Sequence, residues 1–241
     1  MVVLGDRLYS AVIAFMLIIL IFEWTRIVDG AEFSRGFYTL AITAMGTVFL
    51  AAGSQYGWAL AVALGGGAMA SLLELRRRPP ISSWPLVGAV YLLVPAIAAL
   101  FIRHDQAQGL ALTLILFTAV WAADSGAYLV GTYLGGPKLW PALSPRKTWS
   151  GAVGGFVCGT LATLILGKFL RVDMASGGLI AMGAVLALAA IAGDLIESAL
   201  KRAYGVKDTG GAFPGHGGVL DRLDGFILAA TVLALWLVWN P

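Results

Sequence analysis

From Ser198 to Asp224 the chain reads SALKRAYGVKDTGGAFPGHGGVLDRLD, its densest run of chemically useful side chains. Lys201, Arg202 and Lys207 come first, followed by Asp208. A glycine-rich turn with Pro214 and His216 leads to Asp221, Arg222 and Asp224. Lysine and arginine hold phosphate through charge-assisted hydrogen bonds. Carboxylates hold hard divalent ions, and Mg2+ is usually bound by one or two carboxylates together with substrate phosphates. Gly210-Gly211 and Gly217-Gly218 either let backbone amides approach an anion or simply make tight turns. His216 titrates near neutral pH and suits phosphate binding, proton transfer or a structural hydrogen bond. With apolar stretches on both sides, the expected chemistry is on a phosphorylated substrate at a membrane surface.

Other acids and bases stand at telling positions. Asp194, Glu197, Ser198 and Lys201 are spaced i, i+3, i+4 and i+7, so a helix puts them on one face. Asp194 interrupts the apolar run Ala187–Ile196, and Asp124 interrupts Ala119–Val130. A carboxylate inside a membrane is costly and normally turns toward a cavity or a partner. Asp221 and Asp224, three apart at the start of the last apolar run, either face one site or cap a helix N-terminus. Asp124, Asp194 and Asp221 come from three different helices or helix ends, which is how a helical bundle assembles a metal site. Mg2+ is the expected ion. Lys147, Lys201, Arg202, Lys207 and Arg222 are candidates for phosphate contacts, with membrane-interface anchoring as the alternative for each.

The elements that must position these groups are membrane helices. Of 241 residues, 59% are hydrophobic and 12% charged, half the charge of an ordinary soluble domain. Apolar runs near Leu8–Phe22, Phe37–Gly53, Gly57–Leu73, Trp84–Ile102, Leu110–Leu134, Gly151–Leu170, Leu179–Leu200 and Leu223–Trp239 predict about eight spans, the first one short. The fold class is an all-α integral membrane protein, a polytopic bundle. It is read as one domain over 1–241, with N-terminal helices in 1–105 and the catalytic helices and loops in 106–241. The run after Arg7 is read as a retained span, because Phe22-Glu23-Trp24-Thr25 is no small-residue cleavage site.

Bases follow the third span (Arg76, Arg77, Arg78), the fifth (Lys138, Arg146, Lys147) and the seventh (Lys201, Arg202, Lys207). Positive charge favours the cytoplasmic side, so these loops are expected inside and both termini outside. Gly151, Gly155 and Gly159 stand four apart, a spacing that lets helices approach closely. The single cysteine, Cys158, reads as a small helix residue and excludes an intrachain disulfide. No phosphate loop, dinucleotide fingerprint, CxxC or HExxH pattern occurs, and no nucleic-acid-binding module is visible.

The Ser198–Asp224 stretch resembles the C-terminal motif of the phosphatidate cytidylyltransferases, also called CDP-diacylglycerol synthases. The match runs through Ser198, Lys201, Arg202, Lys207, Asp208, Pro214, His216, Gly217, Gly218, Asp221, Arg222 and Asp224. Asp124-Ser125-Gly126-Ala127-Tyr128 and Ser144-Pro145-Arg146-Lys147-Thr148-Trp149 are similar to two upstream family segments. The family often carries Glu after that Trp; here the residue is Ser150, which is assigned no role. The resemblance covers the chain from about Trp121 onward. It implies transfer of CMP from CTP to phosphatidate, giving CDP-diacylglycerol and pyrophosphate, at the inner membrane with the active-site loops cytoplasmic. It further implies Mg2+ on Asp124, Asp194 and Asp221, with Lys201 also catalytic. Ser144, Lys147, Ser198, Arg202, Lys207, Asp208, His216, Arg222 and Asp224 would contact substrate. CTP, phosphatidate and the bilayer are then the partners, nucleic acid is not one, and a homodimer is left open. The rival reading is a transporter that relays ions through Asp124 and Asp194. A transporter would gather its polar groups near the bilayer midplane, whereas the bases and glycines here crowd two loops.

Overall fold

The computed structural model describes residues 5–30, 33–75, 84–104, 107–206, 209–210 and 217–240. Among the described residues, eight helices are long and apolar enough to cross a membrane. They are α1 (Asp6–Asp29), α2 (Arg35–Ala52), α3 (Tyr56–Leu75), α4 (Trp84–His104), α5 (Gly109–Leu134), α6 (Trp149–Phe169), α7 (Ser176–Ala203) and α8 (Leu220–Trp239). The protein is an all-α polytopic membrane protein. Its outward residues include Phe15, Ile42, Phe49, Trp58 and Phe169, all more than 60% exposed. In water such a surface would aggregate. In hydrocarbon it is the expected exterior, and helices are the form that satisfies the backbone there.

The chain divides into two compact units, Met1–Gln106 with Tyr204–Arg222, and Ala107–Ala203 with Leu223–Pro241. In the first unit the core gathers around Trp24, which is 1% exposed, with Tyr9, Ile21, Leu93 and Leu100 also buried. The Trp24 indole lies directly on the backbone of Gly88, where a side chain would have no room. Next to it α4 loosens into a π turn over Ala89–Leu93. The cause is Pro95, which has no N–H to return to the Tyr91 carbonyl and whose ring crowds that turn. Ser34 starts α2 by accepting a hydrogen bond from the Phe37 amide at 3.1 Å. Just past α7, Tyr204 packs edge-on against Trp84 at 4.9 Å. Burial, reinforced by the charge of Asp29, raises its hydroxyl pKa above the ordinary tyrosine value.

The first helix corrects the expectation of a short span. It runs for 24 residues because its polar end is accommodated within the helix. Thr25 bonds back to the Ile21 carbonyl at 2.9 Å, and Glu23 is buried at 2% exposure.

In the second unit α5 and α6 pack backbone to backbone. A Cβ on Gly151 or Gly155 would lie 2.7 Å from the carbonyl of Ala127 or Ala123, and one on Gly159 would lie 3.1 Å from that of Ala119. The four-residue glycine spacing thus does what small residues do at helix interfaces. Between these helices the chain forms a two-stranded antiparallel ribbon, β1 (Lys138–Trp140) and β2 (Ser144–Thr148), where only a loop was expected. Thr148 ends the ribbon and caps α6, accepting from the Gly151 amide at 3.1 Å. The Thr of the Ser-Pro-Arg-Lys-Thr-Trp segment therefore has a structural task, and the ribbon holds Lys147 immediately before it.

Candidate active site

The second unit brings together most of the acids and bases singled out in the sequence. Gly193 on α7 meets α8 so closely that a Cβ there would lie 2.5 Å from the Asp224 carbonyl oxygen. From the α8 side, a Cβ on Gly225 would approach Ala190 at 3.3 Å. This approach aligns the next residues on α7 with Asp224. Carboxylate oxygens of Asp194, Glu197 and Asp224 all lie within 4.8 Å of one another. Glu197 is fully buried, and Asp194 and Asp224 are half-buried.

Cations enclose the cluster. Lys147 Nζ stands 2.5 Å from Asp194 Oδ1. Lys201 Nζ donates to Glu197 Oε2 at 3.3 Å, one helical turn along α7. Asp124, from α5, lies near enough to Asp194 and Lys147 to feel both charges. The Gly225 amide donates to Asp224 Oδ1 at 2.7 Å, fixing that carboxylate at the start of α8. Arg202 Nε donates to the Leu143 carbonyl at 3.3 Å, tying the end of α7 to the ribbon turn. Ser144 opens β2 opposite Trp140, and Ser198 follows Glu197 on α7.

Asp221 and Arg222 belong to the first unit. Asp221 Oδ2 accepts from the Thr209 amide at 3.0 Å, the Thr209 hydroxyl at 2.9 Å and the Gly218 amide at 2.8 Å. Here the carboxylate pins the two described ends of the glycine-rich loop to each other. The Arg222 side chain is exposed. Lys207, Asp208 and His216, together with Pro214, lie outside the described residues.

Sequence reasoning placed Glu197 on the same helix face as Asp194 but did not count it among the ligands. The missing signal is tertiary, since Asp224 reaches the pair only because residue 193 is glycine. The donor set suits a hard ion. Three carboxylates at such separations repel strongly in a medium of low dielectric, and a divalent cation among them relieves that repulsion while offering the all-oxygen coordination it prefers.

Helices that span a membrane, an acidic cluster and cations facing it define the class: a polytopic membrane protein with a charged cluster built on its helices. The chain matches the Cytidylyltransferase family over residues 1–239 and belongs to that family. Among its relatives, the phosphatidate cytidylyltransferase of Brucella suis biovar 1 (strain 1330) is 40% identical over 153 residues, 64% of this chain and 56% of the relative. The phosphatidate cytidylyltransferase of Staphylococcus saprophyticus is 39% identical over 142 residues, 59% of this chain and 55% of the relative. That of Staphylococcus aureus (strain COL) is 40% identical over the same length, again 59% and 55%. The matched part of the chain spans little more than half the length of these curated relatives.

Proposed function

We propose that this protein is a CTP:phosphatidate cytidylyltransferase. A phosphatidate phosphate oxygen attacks the α phosphorus of CTP. The bond from that phosphorus to the bridging α–β oxygen breaks, and pyrophosphate leaves with the electron pair. The products are CDP-diacylglycerol and pyrophosphate. The observation that carries the reading is the carboxylate cluster of Asp194, Glu197 and Asp224 faced by Lys147 and Lys201. The names of the curated relatives support it.

Phosphoryl transfer of this kind needs positioning and charge neutralisation more than covalent help. Asp194, Glu197 and Asp224 would hold Mg2+, with Asp124 as a further acidic ligand, and Asp221 is proposed as a metal ligand on the motif loop. Bound there, the ion would neutralise charge developing on the transferring phosphorus and the leaving pyrophosphate. Lys147 pairs with Asp194 and would exchange that carboxylate for a substrate phosphate. Lys201 holds Glu197 in orientation and is the second catalytic cation. Arg202, Lys207 and Arg222 would take further phosphate charge, while Ser144, Ser198, Asp208 and His216 complete the substrate contacts. We place the loops after α5 and α7 on the cytoplasmic side of the inner membrane, where CTP is available. The charge asymmetry between loops supports this orientation.

The test is direct. Purified protein in detergent micelles receives phosphatidate, Mg2+ and CTP radiolabelled on its α phosphate. Label should move into the lipid fraction and depend on the metal. Folded protein that transfers no label with Mg2+, yet moves ions in liposomes, would replace this reading with the transporter.

A further inference from the structure

We propose that Glu23, on the first helix, is the positioning residue that holds Thr209, Gly210 and the Gly218–Arg222 end of the motif in place for catalysis. The proposal rests on the function proposed above. Glu23 is 2% exposed, and its carboxylate is occupied by the loop 196 residues away. Oε1 accepts from the Val219 amide at 2.9 Å and Oε2 from the Leu220 amide at 2.8 Å. The Thr209 hydroxyl stands 3.5 Å from Oε2. Val219 and Leu220 are where α8 begins. Their amides are among those a helix leaves without internal partners, at the end where its dipole attracts negative charge.

The backbone at Gly210 and Gly218 lies against this carboxylate. A Cβ on Gly210 would lie 2.6 Å from Glu23 Oε1, and one on Gly218 would lie 2.6 Å from Oε2. A side chain at either glycine would displace the carboxylate, and at Gly218 the Thr209 hydroxyl as well. Asp221 fastens the same loop by collecting Thr209 and Gly218 through its Oδ2. Thr209, itself 2% exposed, offers its hydroxyl to Asp221 and lies beside Glu23. Glu23 thus acts on the loop that carries Asp221 and Arg222, and touches it mainly through main-chain donors. An uncompensated carboxylate in this setting would be expensive, which makes the arrangement specific to an acceptor of this length.

The experiment combines an accessibility probe with kinetics. Cys158 is the single native cysteine, so Cys158→Ala provides a thiol-free background. Val219→Cys then places a thiol at a position 7% exposed while keeping the amide that Glu23 accepts. Glu23→Gln preserves size but turns one acceptor into an N–H donor facing backbone N–H groups. Labelling of the Val219→Cys thiol by a maleimide should accelerate about tenfold or more, as a local opening does. The kcat/KM for CTP should fall by about 10- to 100-fold, a size typical of lost positioning. The melting temperature should fall as well, because the new N–H faces buried N–H groups, so labelling and kcat/KM are both read well below the melt. Glu23→Asp keeps the charge but loses reach, and should give intermediate labelling and intermediate kcat/KM. If Glu23→Gln yields no folded protein, the Glu23→Asp variant is read by the same criteria. Unchanged labelling overturns the proposal, as does faster labelling with unchanged kcat/KM. A parent protein inert toward CTP would instead overturn the proposed function, and the labelling result would still decide whether Glu23 holds the loop.

Discussion

Replacing Gly193 by alanine tests the whole site with one methyl group. The new Cβ would lie 2.5 Å from the Asp224 carbonyl oxygen and 3.1 Å from the Gly225 Cα. Ordinary van der Waals contact begins at 3.4 Å, so 3.4 − 2.5 leaves 0.9 Å to be found. The opposing atoms are backbone and have no rotamer to escape into, so α7 and α8 must separate. Overpacking of this kind costs about 1–3 kcal/mol of stability. The effect on turnover should be larger than that on folding, because a displacement of about 1 Å in reacting groups can cost about 100-fold in rate. Asp194 and Glu197 would move away from Asp224 together, opening the cluster that is proposed to bind Mg2+. The assay is lipid-phase transfer of label from CTP, measured at saturating substrate over a Mg2+ titration, with circular dichroism and thermal melting on the same samples. The expected result is a fall in kcat of about 100-fold and a higher Mg2+ midpoint in a protein of native helix content. Gly65→Ala is the control, since a Cβ there meets nothing within 4 Å, and it should leave kcat unchanged. A folded Gly193→Ala protein with parental kcat and parental Mg2+ dependence would refute the claim that the close approach of α7 and α8 builds the site.

The remaining predictions address the charges, the cap and the orientation. Asp194→Asn, Glu197→Gln and Asp224→Asn should each nearly abolish turnover and weaken the Mg2+ response while leaving a folded protein; parental rates in all three would remove the acidic centre of the mechanism. Asp221→Asn should lose activity and metal response together, whereas lost activity with unchanged Mg2+ dependence would confine Asp221 to fastening the loop. Lys147→Met and Lys201→Ala should lower kcat/KM by about 100- to 1,000-fold, as loss of a transition-state donor does elsewhere; parental kinetics would reduce both lysines to structural partners of Asp194 and Glu197. Thr148→Ala removes the cap of α6 and should cost about 1 kcal/mol, read as a lower melting temperature; an unchanged melt would show that the ribbon alone fixes this helix start. In a Cys158→Ala background, an Ala142→Cys thiol in the exposed ribbon turn should resist impermeant reagents in intact cells and react in inverted vesicles; labelling from outside would reverse the proposed orientation.

Much of the fold was legible because membrane helices announce themselves by length and hydropathy. Backbone satisfaction in lipid leaves those runs no other common form. The α5–α6 contact was also readable, since three glycines four apart project onto one face. The exceptions have two causes, one a contact distant in sequence and the other the brevity of the strands. The first helix was read as short because Glu23 and Arg26 look like a polar border. Glu23 instead continues inside, where amides almost two hundred residues later receive it. The ribbon over Lys138–Thr148 escaped notice because its strands are only three and five residues long, too brief to show a period.

The candidate site shows where such reading stops. Helical spacing put Asp194, Glu197 and Lys201 on one face, and on an isolated helix the i,i+4 pair of Glu197 with Lys201 looks self-sufficient. That is why Glu197 drew no attention as a ligand. In the folded protein Glu197 is fully buried and shares its surroundings with Asp194 and Asp224. Lys147 pairs with Asp194 and Lys201 with Glu197, while Asp224 and the nearby Asp124 add two further acids. The acids therefore outnumber the lysines paired with them, and a bundle interior tolerates that excess poorly. The excess is what a divalent ion would offset, and its position is set by a glycine whose only sequence signature is the absence of a side chain.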